Sequence, residues 1–140
     1  MKRIAKMKVD HIGIVVRDIT KHFNRHLVHL FPKEWLGSII YDPLQKVKVA
    51  FIEAPGGRIE LVEPAAPDSP VSSLAAKKPA CYYHICLEVN DLNRQLNACH
   101  EKNQLLVSPP KPAVAFGGRR IAFVLGKDML LWEFLEAEGG

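Results

Sequence analysis

The sequence predicts an α+β fold made of two βαβββ modules, and three observations carry that prediction. Apolar stretches switch between the strand period and the helix period, and they do so twice in the same order. Marker residues recur at one offset: His11 as His84, Val16 as Val89 and Asp18 as Asp91, each 73 residues further on. A run rich in Pro and Ser, "PAAPDSPVSSLAAKKPA", separates the copies as a connecting loop. The chain therefore reads as one domain over residues 1–140, with module 1 at about 8–64, a connection at 65–80 and module 2 at about 81–136.

"KVDHIGIVVRDI", Lys8 to Ile19, opens as a strand. Alternate side chains share a face of a strand, so His11 goes with Gly13 and Val15, while Ile12, Ile14 and Val16 face the other way. A helix follows, burying Ile19, Phe23, Leu27 and Leu30, with Asp18 as its N-cap. The stretch Leu36 to Tyr41 is the weakest strand pattern in this module. "KVAFIEAPGGRIELVE" then gives two strands closed by the turn "APGG", a hairpin. Within the connection, one helical turn is expected at Val71 to Ala76. The second copy repeats this order. A strand in "YYHICLEVNDL" precedes a helix that buries Leu92, Leu96 and Cys99 under the cap Asp91. A short strand at Leu105 to Val107 follows, and "RIAFVLGKDMLLWEFLE" forms the second hairpin around "GKD". Ala50-Phe51 matches Ala122-Phe123 at an offset of 72, and one extra residue in the second turn restores 73, so Glu60 matches Glu133.

Composition narrows the classes. The chain is 48% hydrophobic and 24% charged, enough for a sizeable core. A net charge of +4 suits an anionic small molecule and argues against nucleic acid. The basic start, "MKRIAKMK", reads as a solvated tail. Cys81, Cys86 and Cys99 form no CxxC pair and leave an odd thiol, which points to a reducing, cytoplasmic setting. No apolar run of about 18 residues exists to span a membrane, and the N-terminus lacks the apolar segment of a secretory signal.

Each module thus carries one histidine early and one glutamate late: His11 with Glu60, His84 with Glu133. A glutamate in an apolar strand is costly without a partner. Duplication alone would keep core residues in register, but those would be apolar. Two imidazoles and two carboxylates suit a borderline divalent ion such as Co, Ni, Mn or Zn. Four protein ligands on a six-coordinate ion leave two adjacent positions for water or substrate oxygens, a catalytic rather than structural arrangement. Gly13 leaves space beside His11.

"DHIGIVVRDI", "GRIELVEP", "YHICLEVNDL", "GGRRIAF" and "LLWEFLE" together resemble the vicinal oxygen chelate superfamily (glyoxalase, bleomycin resistance, dioxygenase) and, within it, the methylmalonyl-CoA epimerases. The resemblance runs from Val9 to Glu136. It implies an open, U-shaped β-barrel around a metal site, with His11, Glu60, His84 and Glu133 on the ligand positions. It also implies a metal-dependent epimerase or isomerase that removes a proton α to a carbonyl of a small-molecule substrate such as an acyl-CoA thioester, in a homodimer. Glu133 would be the base, and Glu60 or Asp42 would serve the opposite face. The sequence departs from the epimerases in two places. Glu60 stands where they usually have glutamine and bacterial glyoxalase I has glutamate. "YDPLQKVKV" offers Gln45 and, nearby, Asp42 where they have a catalytic glutamate. The alternatives are a glyoxalase I-type lactoylglutathione lyase and a metal-free drug-sequestering protein of the bleomycin-resistance type.

In "AFGGRR", Gly117 and Gly118 could expose backbone N–H groups, and Arg119 and Arg120 could meet a substrate carboxylate or phosphate. The resemblance to the epimerases favours substrate contact there. His22, His26 and His29 have helical spacing but read as a solvated face. Cys86 shares the strand face of His84, with nothing adjacent to activate it.

Overall fold

The computed structural model describes residues 7–139, so the first six residues of the expected tail "MKRIAKMK" lie outside the described residues, and its last two, Met7 and Lys8, are not tail but the start of a strand. The element order is β1 (Met7–Val16), α1 (Ile19–His22), β2 (Ile40–Asp42), β3 (Val47–Ala54), β4 (Gly57–Pro64), α2 (Ser72–Lys77), β5 (Ala80–Val89), α3 (Leu92–Glu101), β6 (Leu105–Pro112), β7 (Arg120–Leu125) and β8 (Leu131–Glu136). The α+β class and the duplicated βαβββ order are both present. All eight strands belong to one mixed sheet, in the order β2-β3-β4-β1-β5-β8-β7-β6. Packing divides the chain into two compact units. One is His11–Tyr83; the other joins the start of β1, through Asp10, to His84 and everything after it. The first unit therefore contains the connection as well as most of module 1.

In the first unit β4 lies between β1, which it pairs in parallel, and β3, which it pairs antiparallel. The second unit repeats this, with β8 between parallel β5 and antiparallel β7. In each unit the helix after the histidine strand, α1 or α3, packs on one face of the strands. Val16, Ile19, Phe23, Ala50, Ile52 and Leu61 form the first core; Val89, Leu92, Cys99, Ala122, Val124 and Phe134 form the second. Burial of each large side chain contributes about 1.5–3 kcal/mol. Both helices start as expected: Asp18 Oδ1 accepts from Lys21 N at 2.9 Å and Asp91 Oδ1 from Arg94 N at 3.0 Å.

Three expectations need correction. The first helix is α-helical only to His22 and continues as a π-helix over Phe23–Leu27, with Val28 N donating to Phe23 O at 2.9 Å. The wider turn inserts one residue into the apolar stripe. Leu30 is therefore exposed, and Phe31 packs on the core instead. The weak strand at Leu36 to Tyr41 begins only at Ile40, with Leu36 making an isolated bridge to Ile52. Finally, β6 runs to Pro112, well past Val107, with register shifts around Pro109 and Pro110. A strand carrying prolines is tolerated at a sheet edge, where missing N–H donors leave few ladder bonds unmade. No helix among the described residues is long and apolar enough to cross a membrane.

The cap geometry predicts that Asp91→Ala destabilises the fold by about 0.5–2 kcal/mol, while Asp91→Asn retains most of the stability. Urea denaturation followed by circular dichroism checks both.

Candidate functional site

The two glutamates are set by the same strand arrangement in each unit. On β4, Glu60 stands between Gly13 of β1 and Phe51 of β3. On β8, Glu133 stands between Cys86 of β5 and Phe123 of β7. His11 and His84 lie two residues before Gly13 and Cys86, and so share their faces. The result is one His–Glu pair per unit. His11 Nε2 lies 3.3 Å from Glu60 Oε1, and His84 Nε2 lies 3.0 Å from Glu133 Oε1. All four residues are buried, none more than 6% exposed.

An aromatic ring backs each imidazole. Phe51 meets His11 edge to face, with ring centres 5.4 Å apart at 74°, and Phe123 meets His84 at 5.4 Å and 72°. Such contacts hold a ring's orientation as well as burying area. The Ala50-Phe51 and Ala122-Phe123 match had displayed these residues in the repeat. What it lacked was the cross-strand register that turns them toward the histidines. Arg58 was missed altogether. Its guanidinium carbon sits 4.0 Å from the centre of the Phe51 ring, and its Nε lies 3.2 Å from Glu53 Oε2.

The donors fit a divalent ion. Imidazole nitrogen and carboxylate oxygen are both ligands that borderline metals accept, and each unit holds one buried pair of them. Within each pair, the N···O spacing also suits two neighbouring ligands. Atoms at about 2.1 Å from one ion are roughly 3.0 Å apart at a right angle and roughly 3.4 Å apart in a tetrahedron. His22, His26 and His29 are not in any such group among the described residues. His26 and His29 are exposed, and His22 is half-buried beside His26, with ring centres 4.8 Å apart. Burial first, and the neighbouring His26 second, hold the His22 imidazole below its ordinary value.

Asp42, the other candidate for proton transfer, is buried within its own hairpin. Its Oδ1 accepts from Leu44 N at 3.0 Å and Gln45 N at 3.2 Å, and its Oδ2 from Gln45 Nε2 at 2.8 Å. The "AFGGRR" segment forms a 3-10 turn at Val114–Phe116, followed by Gly117 and Gly118 at φ of 63° and 87°. A side chain at either glycine would be strained there. Arg119 Nη1 reaches Glu88 Oε2 at 3.4 Å, and Arg120 makes a two-pronged pair with Glu136 at 3.0 and 2.7 Å. That hydrogen-bonded pair holds the Glu136 carboxyl below its usual range. Cys86 is fully buried opposite Glu133.

Comparison with known proteins adds the following. The family profile described as the Glyoxalase/Bleomycin resistance protein/Dioxygenase superfamily matches residues 10–123. The uncharacterized protein YqjC of Bacillus subtilis (strain 168) is 32% identical over 136 residues, 94% of each chain. The ethylmalonyl-CoA/methylmalonyl-CoA epimerase of Cereibacter sphaeroides is 27% identical over 122 residues, 86% of this chain and 90% of the relative. Among solved structures, the hypothetical protein BH1468 from Bacillus halodurans C-125 superposes with a TM-score of 0.78 at 28% identity, covering 94% of this chain and 95% of that one.

The depressed Glu136 carboxyl gives a pH prediction. Its contribution to stability is present above the ordinary carboxylate pKa and is lost as pH falls through the lower folded value. Glu136→Gln should therefore be less stable than the parent near neutrality and converge with it in acid. Urea midpoints at pH 7 and pH 3 check this.

Proposed function

Because the chain belongs to the glyoxalase/bleomycin resistance protein/dioxygenase superfamily, we propose that it is a metal-dependent epimerase or isomerase that removes a proton α to the carbonyl of an acyl-CoA thioester. The observation that carries this reading is the duplicated, buried His–Glu pair. We assign His11, Glu60, His84 and Glu133 together as the ligands of one divalent ion (Co, Ni, Mn or Zn). When bound, the ion would supply positive charge opposite the negative charge that grows on the substrate's carbonyl oxygen as the proton leaves.

The chain's own residues do the rest. Glu133, shielded from water and oriented by His84, takes the α-proton onto a carboxylate oxygen. Return of a proton to the opposite face falls to Glu60, since Asp42 is committed to the backbone and side chain of its hairpin. Arg119 and Arg120, held in place by Glu88 and Glu136 and carried on the Gly117-Gly118 turn, are our candidates for the substrate's phosphate or carboxylate groups. The epimerase from Cereibacter sphaeroides, whose name specifies ethylmalonyl- and methylmalonyl-CoA, supports the thioester class. A second reading, a glyoxalase I-type lyase, is favoured by one feature: Glu60 is an anionic ligand where the epimerases usually carry glutamine.

Protein purified without chelators should contain one divalent ion per chain, and the His11→Ala, His84→Ala double variant should lose most of it. Unchanged metal content in that variant would overturn the shared site. Metal-loaded wild type should catalyse entry of solvent deuterium at the α-position of a thioester, beginning with methylmalonyl-CoA. Glu133→Gln should reduce that exchange by about 10²–10⁴-fold while keeping more of its metal, because the amide oxygen can still coordinate but cannot accept the proton. Exchange that requires a hemithioacetal would favour the lyase. No exchange with either class would move the assignment to a small-molecule binding protein.

A further inference from the structure

The two hairpins differ at one rung. In β3–β4, Phe51 faces Glu60 and the next rung on that face is Glu53 opposite Arg58. In β7–β8, Phe123 faces Glu133 and the next rung is Leu125 opposite Leu131. The two hairpins thus share the Phe–Glu rung, and beside it one carries a charged pair where the other carries an apolar one. We infer that Arg58 is a specificity-determining residue that receives a carboxylate carried by the substrate. The inference rests on the proposed reaction at the His11–Glu60 side.

Arg58 is two residues from Glu60 on the same strand face, about 7 Å along the chain. Its guanidinium lies over Phe51, the ring that also meets His11. Stacking fixes the plane of the guanidinium, and a fixed plane is what two-pronged recognition of a carboxylate requires. Glu53 Oε2 lies 3.2 Å from Arg58 Nε without making a hydrogen bond, and the Glu53 side chain is 56% exposed against 31% for Arg58. An ion pair with so exposed a partner contributes little, so exchanging Glu53 for a substrate carboxylate costs little. The alternative is a cross-strand pair that only steadies the hairpin. The stack on Phe51 argues for more, because it ties the cation to the ring that orients His11. The matching Leu125–Leu131 rung presents apolar surface and suits an uncharged group.

The test compares two thioesters that differ by a carboxylate, methylmalonyl-CoA and propionyl-CoA, and adds direct titration of malonate by calorimetry. Wild type should bind malonate and prefer the carboxylated thioester. Arg58→Leu, which copies Leu131, should weaken malonate binding and raise KM for methylmalonyl-CoA by about 10- to 100-fold. The loss should fall on the carboxylated ligands, with the response to propionyl-CoA changed far less, and Arg58→Lys should recover part of it. Glu53→Gln should keep or improve malonate binding, whereas a purely structural pair predicts equal loss of stability in both variants and no change in binding. Malonate affinity and KM unchanged in Arg58→Leu, or no malonate binding by wild type, overturns the assignment. If no thioester undergoes exchange yet Arg58→Leu still weakens malonate binding, the proposed reaction fails and the role of Arg58 stands.

Discussion

A carboxylate buried in an apolar strand must meet a cation, a hydrogen-bond donor or a metal, and most of this structure is arranged around meeting that demand twice. Glu60 and Glu133 are each inside a strand flanked by apolar neighbours, and each is met by an imidazole nitrogen about one hydrogen-bond length away. Replacing either glutamate with a leucine would have made a simpler core. Keeping both, with both histidines, costs desolvation that each His–Glu pair offsets in part.

The strand arrangement explains how the pair is made. A parallel neighbour brings the histidine strand beside the glutamate, and an antiparallel hairpin brings a phenylalanine to its other side. The helix packs through the opposite faces of the strands, on Val16, Ala50, Ile52 and Leu61 in the first unit. One face therefore stabilises the fold while the other carries the polar donors. That division lets the polar face change without unfolding the unit. The Glu53–Arg58 rung of one unit against the Leu125–Leu131 rung of the other is an instance.

Membership of the superfamily and likeness to an epimerase agree with the donor set, and the departures give the chain its own character. Glu60 brings a negative charge that a glutamine would not, and Asp42 is spent on its hairpin turn. In the proposed reaction, the second ionisable group for two-faced proton transfer is therefore Glu60. The arginines after the Gly117-Gly118 turn are similarly held by acids of their own unit.

Much of this was legible in the sequence because it rests on local period and on internal repetition. Strand and helix alternation, the caps Asp18 and Asp91, the two hairpins and the four candidate ligands all follow from residues close in sequence or related by one offset. The tertiary structure decided the remainder. The π-turn that rotates Leu30 outward depends on how Phe31 packs against the core, which no linear stripe encodes. The length of β6 depends on its edge position, where prolines are tolerated. The parallel pairing that sets Gly13 and Cys86 opposite the glutamates joins segments far apart in the chain, and sequence carries no local signal for such register. The same is true of Arg58 over Phe51, since a guanidinium finds its ring only after the hairpin has closed. Residue type and spacing named the chemistry; long-range pairing of strands, driven by burial of the apolar faces, decided which side chains would meet.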